Sequence, residues 1–166
     1  MMRIRPLVES DLSLVRTWMQ EVPEAPVWSD DDLLRLVMFA SGDERKIRRA
    51  WVAEDESELT GFAVATALTL PDAPSECELE LVLVPQQARC RGIGSALVRT
   101  ILAWARDSGA TELWLEVRHS NERAIRLYQR CGFVFAGRRP GYYVDPTEDA
   151  VLMRYRLEPR SVDAPV

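Results

Sequence analysis

The chain has 166 residues, 47% of them hydrophobic, which is enough for one domain with a full core and too few for a comfortable second. Its net charge of −5, despite twenty arginines and the single lysine Lys46, argues against a broad nucleic-acid face, which needs a basic surface to displace counterions. No stretch approaches the roughly 20 apolar residues of a membrane span, no signal-peptide core follows Met1, and the three cysteines Cys77, Cys90 and Cys131 form no C-x-x-C pair, so a cytoplasmic protein without disulfides or zinc is expected.

Taken in chain order, Arg3 to Leu7 reads as a first strand, and Glu9-Ser10-Asp11 caps a helix with Leu12, Val15, Trp18 and Met19 on one stripe. Glu21 to Trp28 is a loop. Ser29 and the acids Asp30-Asp31-Asp32 open a second helix that is expected to bury Leu33, Leu34, Val37 and Met38; acids in a first turn answer the helix dipole, so no metal cluster is read there. Asp43 to Arg49 reads as a charged connection. Trp51 to Glu54 and Gly61 to Leu70 form a hairpin around Asp55-Glu56-Ser57-Glu58, with Pro71-Asp72-Ala73-Pro74 as the next turn. Glu76 to Val84 makes the central strand, and a third helix from Gly92 to about Ser108 buries Ile93, Leu97, Ile101 and Trp104. Leu113, Leu115 and Val117 alternate with Trp114, Glu116 and Arg118 as a strand; Ser120 or Asn121 caps a helix that carries Ala124, Ile125 and Tyr128 on one face and stops at Gly132. Strands near Phe133 to Ala136 and Ala150 to Leu157 finish a domain over residues 1–157, and 158–166 is expected to be a loose tail.

The most informative junction is the strand Leu81-Val82-Leu83-Val84, the loop Pro85 to Gly94 and the helix that follows. A helix start leaves its first amides unpaired and carries about half a positive charge, so a diphosphate can take those hydrogen bonds. Gly92 and Gly94 allow close approach of the backbone. The pattern is not a P-loop, because no Gly-Lys-Ser/Thr follows, nor a Rossmann turn, because the glycine spacing is wrong and no acidic residue lies on a second strand about 20 residues on.

Arg89-x-x-Gly92-x-Gly94 resembles the acetyl-CoA signature of the GNAT superfamily of N-acetyltransferases. The run Leu115-Glu116-Val117-Arg118, Ser120-Asn121, Ala124-Ile125-x-Leu127-Tyr128 and Gly132-Phe133 is similar to the RimI-like ribosomal-protein alanine N-acetyltransferases, as are Tyr142-Tyr143, Pro146, Glu148-Asp149-Ala150 and the early Pro26-Val27-Trp28-Ser29. The resemblance implies a single-domain α/β GNAT fold: a mixed, mostly antiparallel sheet with splayed strands and about four helices. It implies acetyl-CoA as co-substrate, on Val82, Leu83, Val84, Arg89, Cys90, Arg91, Gly92, Ile93, Gly94 and Asn121. The family's proline after its last valine is shifted here, since Pro85 precedes Gln86. The partner implied is a peptide N-terminus, that of a ribosomal protein above all, with no direct nucleic-acid or membrane contact and a monomer or homodimer as the assembly.

Amide formation from a thioester needs a neutral amine, a polarised carbonyl and a proton for the leaving thiolate. An α-amine has a pKa of about 7.7–8.0 against about 10.4 for lysine, so a modest base suffices. By resemblance Glu116 matches the general base and Tyr128 the acid, while Tyr142, Tyr143, Asp145, Glu148 and Asp149 resemble an acceptor-holding loop. His119, with nothing to orient it, reads as a solvated loop residue. A small-amine acetyltransferase and an idle acyl-CoA-binding module are the alternatives; retention of both Glu116 and Tyr128 disfavours the second.

Overall fold

A computed structural model describes residues 1–23, 25–38 and 45–158. Seven strands, β1 (Arg3–Pro6), β2 (Lys46–Asp55), β3 (Glu58–Leu70), β4 (Ala73–Leu83), β5 (Ala110–Arg118), β6 (Val134–Tyr143) and β7 (Glu148–Arg156), form one sheet in the order β1-β2-β3-β4-β5-β7-β6. The β4–β5 pair is parallel and every other pair antiparallel. Helices α1 (Leu12–Glu21), α2 (Asp30–Met38), α3 (Ile93–Asp107) and α4 (Glu122–Arg130) complete the expected mixed α/β domain.

Each face of the sheet carries its own core. On one side α1 and α2 bury Val15, Trp18, Leu33 and Leu36 against Val52, Phe62, Val64 and Leu83. On the other, α3 and α4 pack Leu97, Val98, Ile101 and Tyr128 on Ala63, Leu79, Leu113 and Leu115. Gly61 is what lets α3 lie so close: a Cβ there would stand 2.7 Å from the Ile93 Cγ2 methyl. The hairpin between β2 and β3 turns through Glu56 and Ser57, both at positive φ, the geometry that matches the twist of paired strands.

Three sequence expectations change. Helix α2 buries Leu33 and Leu36, while Leu34 and Met38 are exposed; apolar residues stand on two sides of this helix, and the contact with β2 selects between them. Lys46 to Arg49, expected as part of a charged connection, opens β2 and pairs in register with Ala65 to Leu68 of β3; residues 43 and 44 lie outside the described residues. Strand β6 runs far beyond Ala136, through Pro140 and Gly141 to Tyr143, because the last strand of a sheet pairs on one side and tolerates a missing N–H. Leu157 is buried, and the expected tail beyond Glu158 lies outside the described residues.

The strand that matters most changes face midway. Leu79 points into the α3/α4 core, yet Leu81 and Leu83, of the same parity, pack on the α1/α2 side. A register shift against β3 accounts for this, since Ala65 pairs with Leu79 and Val64 with Leu81, which leaves Glu80 as the extra residue of a β-bulge. The bulge coincides with the end of β4–β5 pairing: Glu78 opposite Trp114 is the last partner pair. Beyond it β5 pairs only with β7, up to Arg118 opposite Ala150, so β4 and β5 part and leave backbone on both sides of the opening.

Candidate functional site

Helix α3 begins beside this opening. Its first intrahelical bond runs from the Ala96 N–H to the Gly92 carbonyl at 3.0 Å, so the amides of Ile93, Gly94 and Ser95 precede the ladder. No side chain caps it and no acid lies in its first turn. The starts of α2 and α4 are closed by side chains: Ser29 and Asp32 form a reciprocal capping box on α2, with bonds of 3.0 and 3.1 Å, and Asn121 Oδ1 accepts the Ala124 amide of α4 at 3.2 Å. Asp30, expected as a first-turn acid, also pairs with Arg16 at 2.7 Å. A bare N-terminus with its partial positive charge suits an anion.

The loop before α3 is held from both sides. Arg89 Nε donates to the Val84 carbonyl at 2.9 Å, and Arg91 pairs with Asp55 at 2.7 Å. Cys90 and Gly92 both have positive φ, and a Cβ on Gly92 would meet no atom within 4 Å, so the space beside this residue is open. A Cβ on Gly94 faces the other way, 3.0 Å from the Leu127 side chain, so that glycine serves α3–α4 packing. Val82 and Val84 are half-buried along the open edge, with Leu83 buried between them. The residues present therefore fit an extended ligand that lies along β4 and ends in a diphosphate at α3.

Glu116 and Tyr128 stand on opposite sides of β5. Glu116 alternates with the buried Leu115 and Val117, while Tyr128 packs in the core those two residues help to form, its ring 5.7 Å from that of Phe133. Burial, with smaller contributions from Tyr143 and Cys131, holds the Tyr128 phenol well above its ordinary range. On the other face Glu116 Oε1 lies 3.1 Å from Arg139 Nε. The Tyr142 hydroxyl interacts with the same carboxylate, a contact that raises the phenol. Burial and the nearby Glu116 charge push the Tyr143 phenol up to about 12, and its ring carries the Arg118 guanidinium 4.3 Å from its centre.

The remaining expected acceptor residues are engaged elsewhere. Glu148 accepts the Ser120 amide and pairs with Arg118 at 3.4 Å; Asp149 accepts the Gly141 amide at 2.9 Å and pairs with Arg138 at 3.4 Å. These acids brace the β6–β7 turn, where Asp145 sits exposed at positive φ. His119 is exposed, as expected of a loop residue.

The structure adds residues that sequence reading passed over. Glu78, Glu80, Thr66 and Arg48 share the Glu116 side of the sheet, where Arg48 forks onto Glu80 at 2.9 and 3.0 Å, Glu80 also accepts the Thr66 hydroxyl, and Arg48 stacks 4.6 Å from the Trp28 ring centre. Burial of its carboxyl, then the charges of Glu80 and Glu116, raise Glu78 above the usual carboxylate range, although the residue as a whole remains exposed. The signal was the acidic alternation Glu76-x-Glu78-x-Glu80, which sets carboxylates at a period of two along a central strand.

A sheet opened at a bulge, an uncapped helix start at the opening and a carboxylate and a buried phenol on either side of one strand define a protein built to bring an amine to an extended, anion-tipped acyl carrier. The chain belongs to the acetyltransferase (GNAT) family, whose model matches residues 12–133. It is 33% identical over 119 residues to the [ribosomal protein bS18]-alanine N-acetyltransferase of Salmonella typhimurium, covering 69% of this chain and 74% of that one. It is likewise 33% identical over 123 residues to the streptothricin acetyltransferase of Streptomyces lavendulae, covering 72% and 64%. The ribosomal-protein-S18-alanine N-acetyltransferase of Escherichia coli superposes over 100% of both chains with a TM-score of 0.74 at 27% identity. The chain spans between 27% and 64% of the length of the first curated relatives it matches.

Proposed function

We propose that this chain transfers the acetyl group of acetyl-CoA to the α-amine of a protein N-terminus, an alanine of a ribosomal protein in the first instance. The observation that carries the reading is the opening between β4 and β5, with Glu116 and Tyr128 on opposite sides of β5 and the bare start of α3 beside it. When bound, acetyl-CoA supplies an activated thioester. Cys90, Arg91, Gly92, Ile93 and Gly94 would take its diphosphate on backbone amides, with Arg89, whose own amide is bonded to the Gln86 carbonyl, bracing the loop through its side chain, and Val82, Leu83 and Val84 would pair with its pantetheine arm as an added strand. Asn121, whose side-chain oxygen caps α4, is assigned to the cofactor by the family resemblance. Glu116 takes one proton of the ammonium and passes it to solvent, the neutral amine nitrogen bonds to the acetyl carbon, and as the C–S bond breaks Tyr128 gives its proton to sulfur while the second nitrogen proton leaves to solvent, from which the phenolate is restored. Tyr142 and Tyr143 border the acceptor side. Glu78 and Glu116 place negative charge where a cationic acceptor would enter.

Substitution of Gly92 by Val is expected to weaken acetyl-CoA binding, because a β-branched residue is strained at φ +79° and would shift the backbone that presents the amides at the start of α3. Calorimetric titration of the folded variant checks it; wild-type affinity would remove the diphosphate from this loop.

A second reading, acetylation of a small amine, draws on the acidic lining and on the streptothricin-modifying relative. One screen separates the two: a peptide beginning Ala-Arg, a matched peptide with a blocked N-terminus and an internal lysine, and a set of small diamines. Acetyl on the α-amine of the first, located by mass spectrometry, with the blocked peptide untouched, is the expected result. Efficient turnover of a diamine with both peptides left untouched would replace the peptide reading.

A further inference from the structure

We propose that Arg139 is a built-in placeholder for the acceptor's ammonium: it neutralises Glu116 in the free protein and yields that position to the incoming protonated amine. This rests on the acetyl-transfer reading with Glu116 as the base. The pair is asymmetric, since the Glu116 side chain is 19% exposed and that of Arg139 is 56% exposed, so the anion is fixed in the sheet and the cation reaches it from outside. The strand that carries Arg139 is loosened at that point. Pairing of β6 with β7 breaks between Arg139 and Tyr143, where Pro140 has no N–H and Gly141 adopts φ +60°.

Other contacts set the location. The Arg139 guanidinium lies 5.5 Å from the centre of the Tyr142 ring, and Tyr142 reaches the same carboxylate, so β6 covers Glu116 with a cation and a phenol together. Arg139 also acts electrostatically on Glu78, so its charge is felt by carboxylates of both β4 and β5. The Arg48–Glu80 pair is built differently, with both side chains a quarter exposed or less, two-pronged, stacked on Trp28 and bonded to Thr66. Arg48 is locked; Arg139 is held by an exposed ion pair and a ring face, contacts of small net worth. An ammonium is a compact cation with three donors and can replace a guanidinium on one carboxylate oxygen without moving the sheet. Proton transfer to Glu116 and acetylation remove the acceptor's positive charge, the amide product has no cation to hold there, and Arg139 returns once Glu116 has released its proton to solvent. The exchange of one cation for another leaves the charge of the site unchanged on binding and makes the site selective for acceptors that arrive protonated.

The test is steady-state kinetics of the full chain with acetyl-CoA and two probes, the Ala-Arg peptide and 1,4-diaminobutane. For whichever probe the wild type acetylates, Arg139→Gln should lower KM by about twofold to fivefold, the span of an exposed ion pair, because the competing cation is gone. Arg139→Lys, which keeps a cation, should retain the wild-type KM. Added methylguanidinium should raise the KM of Arg139→Ala towards the wild-type value, whereas neutral methylurea should not. An unchanged or higher KM in Arg139→Gln, or a KM in Arg139→Lys as low as that of Arg139→Gln, overturns the placeholder while acetyl transfer stands. A wild-type protein that acetylates neither probe nor any other amine overturns both.

Discussion

Glu116→Gln is expected to lower kcat by a factor on the order of 10² or more at pH 7, the usual scale for loss of a general base, while acetyl-CoA affinity stays close to wild type. Gln keeps the size and polarity of the side chain but cannot accept the ammonium's proton. The acetyl-CoA residues proposed here lie along β4 and at the start of α3, and Glu116 faces the α1/α2 side of the sheet, so the two effects are separable. The loss should shrink as pH rises through the α-amine's range near 7.7–8.0, because more acceptor then arrives neutral. Pre-steady-state and steady-state assays over pH 6.5–9 would measure both features. Wild-type turnover by the Gln variant at pH 7 removes Glu116 from the chemistry, and a pH-independent loss would mark it as a residue that positions the acceptor.

What was legible in the sequence was local. The start of α3 could be read because Gly92, Gly94, Arg89 and the apolar strand before them fall within fifteen residues, and α4 because Asn121 and Gly132 bracket a clear 3.6 period. Placement across the sheet was not legible. Nothing in Glu76 to Leu83 announces that Glu80 is the extra residue of a bulge, since a bulge exists only relative to its partner strand. Arg139 was missed because its strand contains Pro140 and Gly141 and shows no alternation, a pattern that only a one-sided, edge position allows. The partners of the acidic loop were hidden for a related reason: Glu148 and Asp149 look like free charge in the sequence, yet Ser120, Arg118, Gly141 and Arg138, which they engage, come from other segments. Sequence resemblance proposed Glu116 and Tyr128, but their separation by the thickness of β5 follows from strand parity and from the helix that returns over it.

That separation gives the second large effect. Tyr128→Phe should reduce kcat by about 10²-fold while thermal stability stays near wild type, because the change removes one hydroxyl and keeps a ring packed against Phe133. Burial holds the phenol above its ordinary pKa, so it is neutral across the working pH range and always carries the proton it must give. A thiolate whose parent thiol is near pKa 8.5 is too weak a base to take that proton in an isolated step, so the transfer must accompany C–S cleavage, when charge on sulfur is greatest and the ammonium proton has already left towards Glu116. One proton thus leaves on one side of β5 and another enters from the opposite side. Acyl donors with better leaving groups need less help at sulfur, so the Phe variant should recover activity as the leaving thiol becomes more acidic, whereas Glu116→Gln should not. A Phe variant that runs at full speed with acetyl-CoA would assign the proton to water, and one equally slow with every donor would make Tyr128 a packing residue.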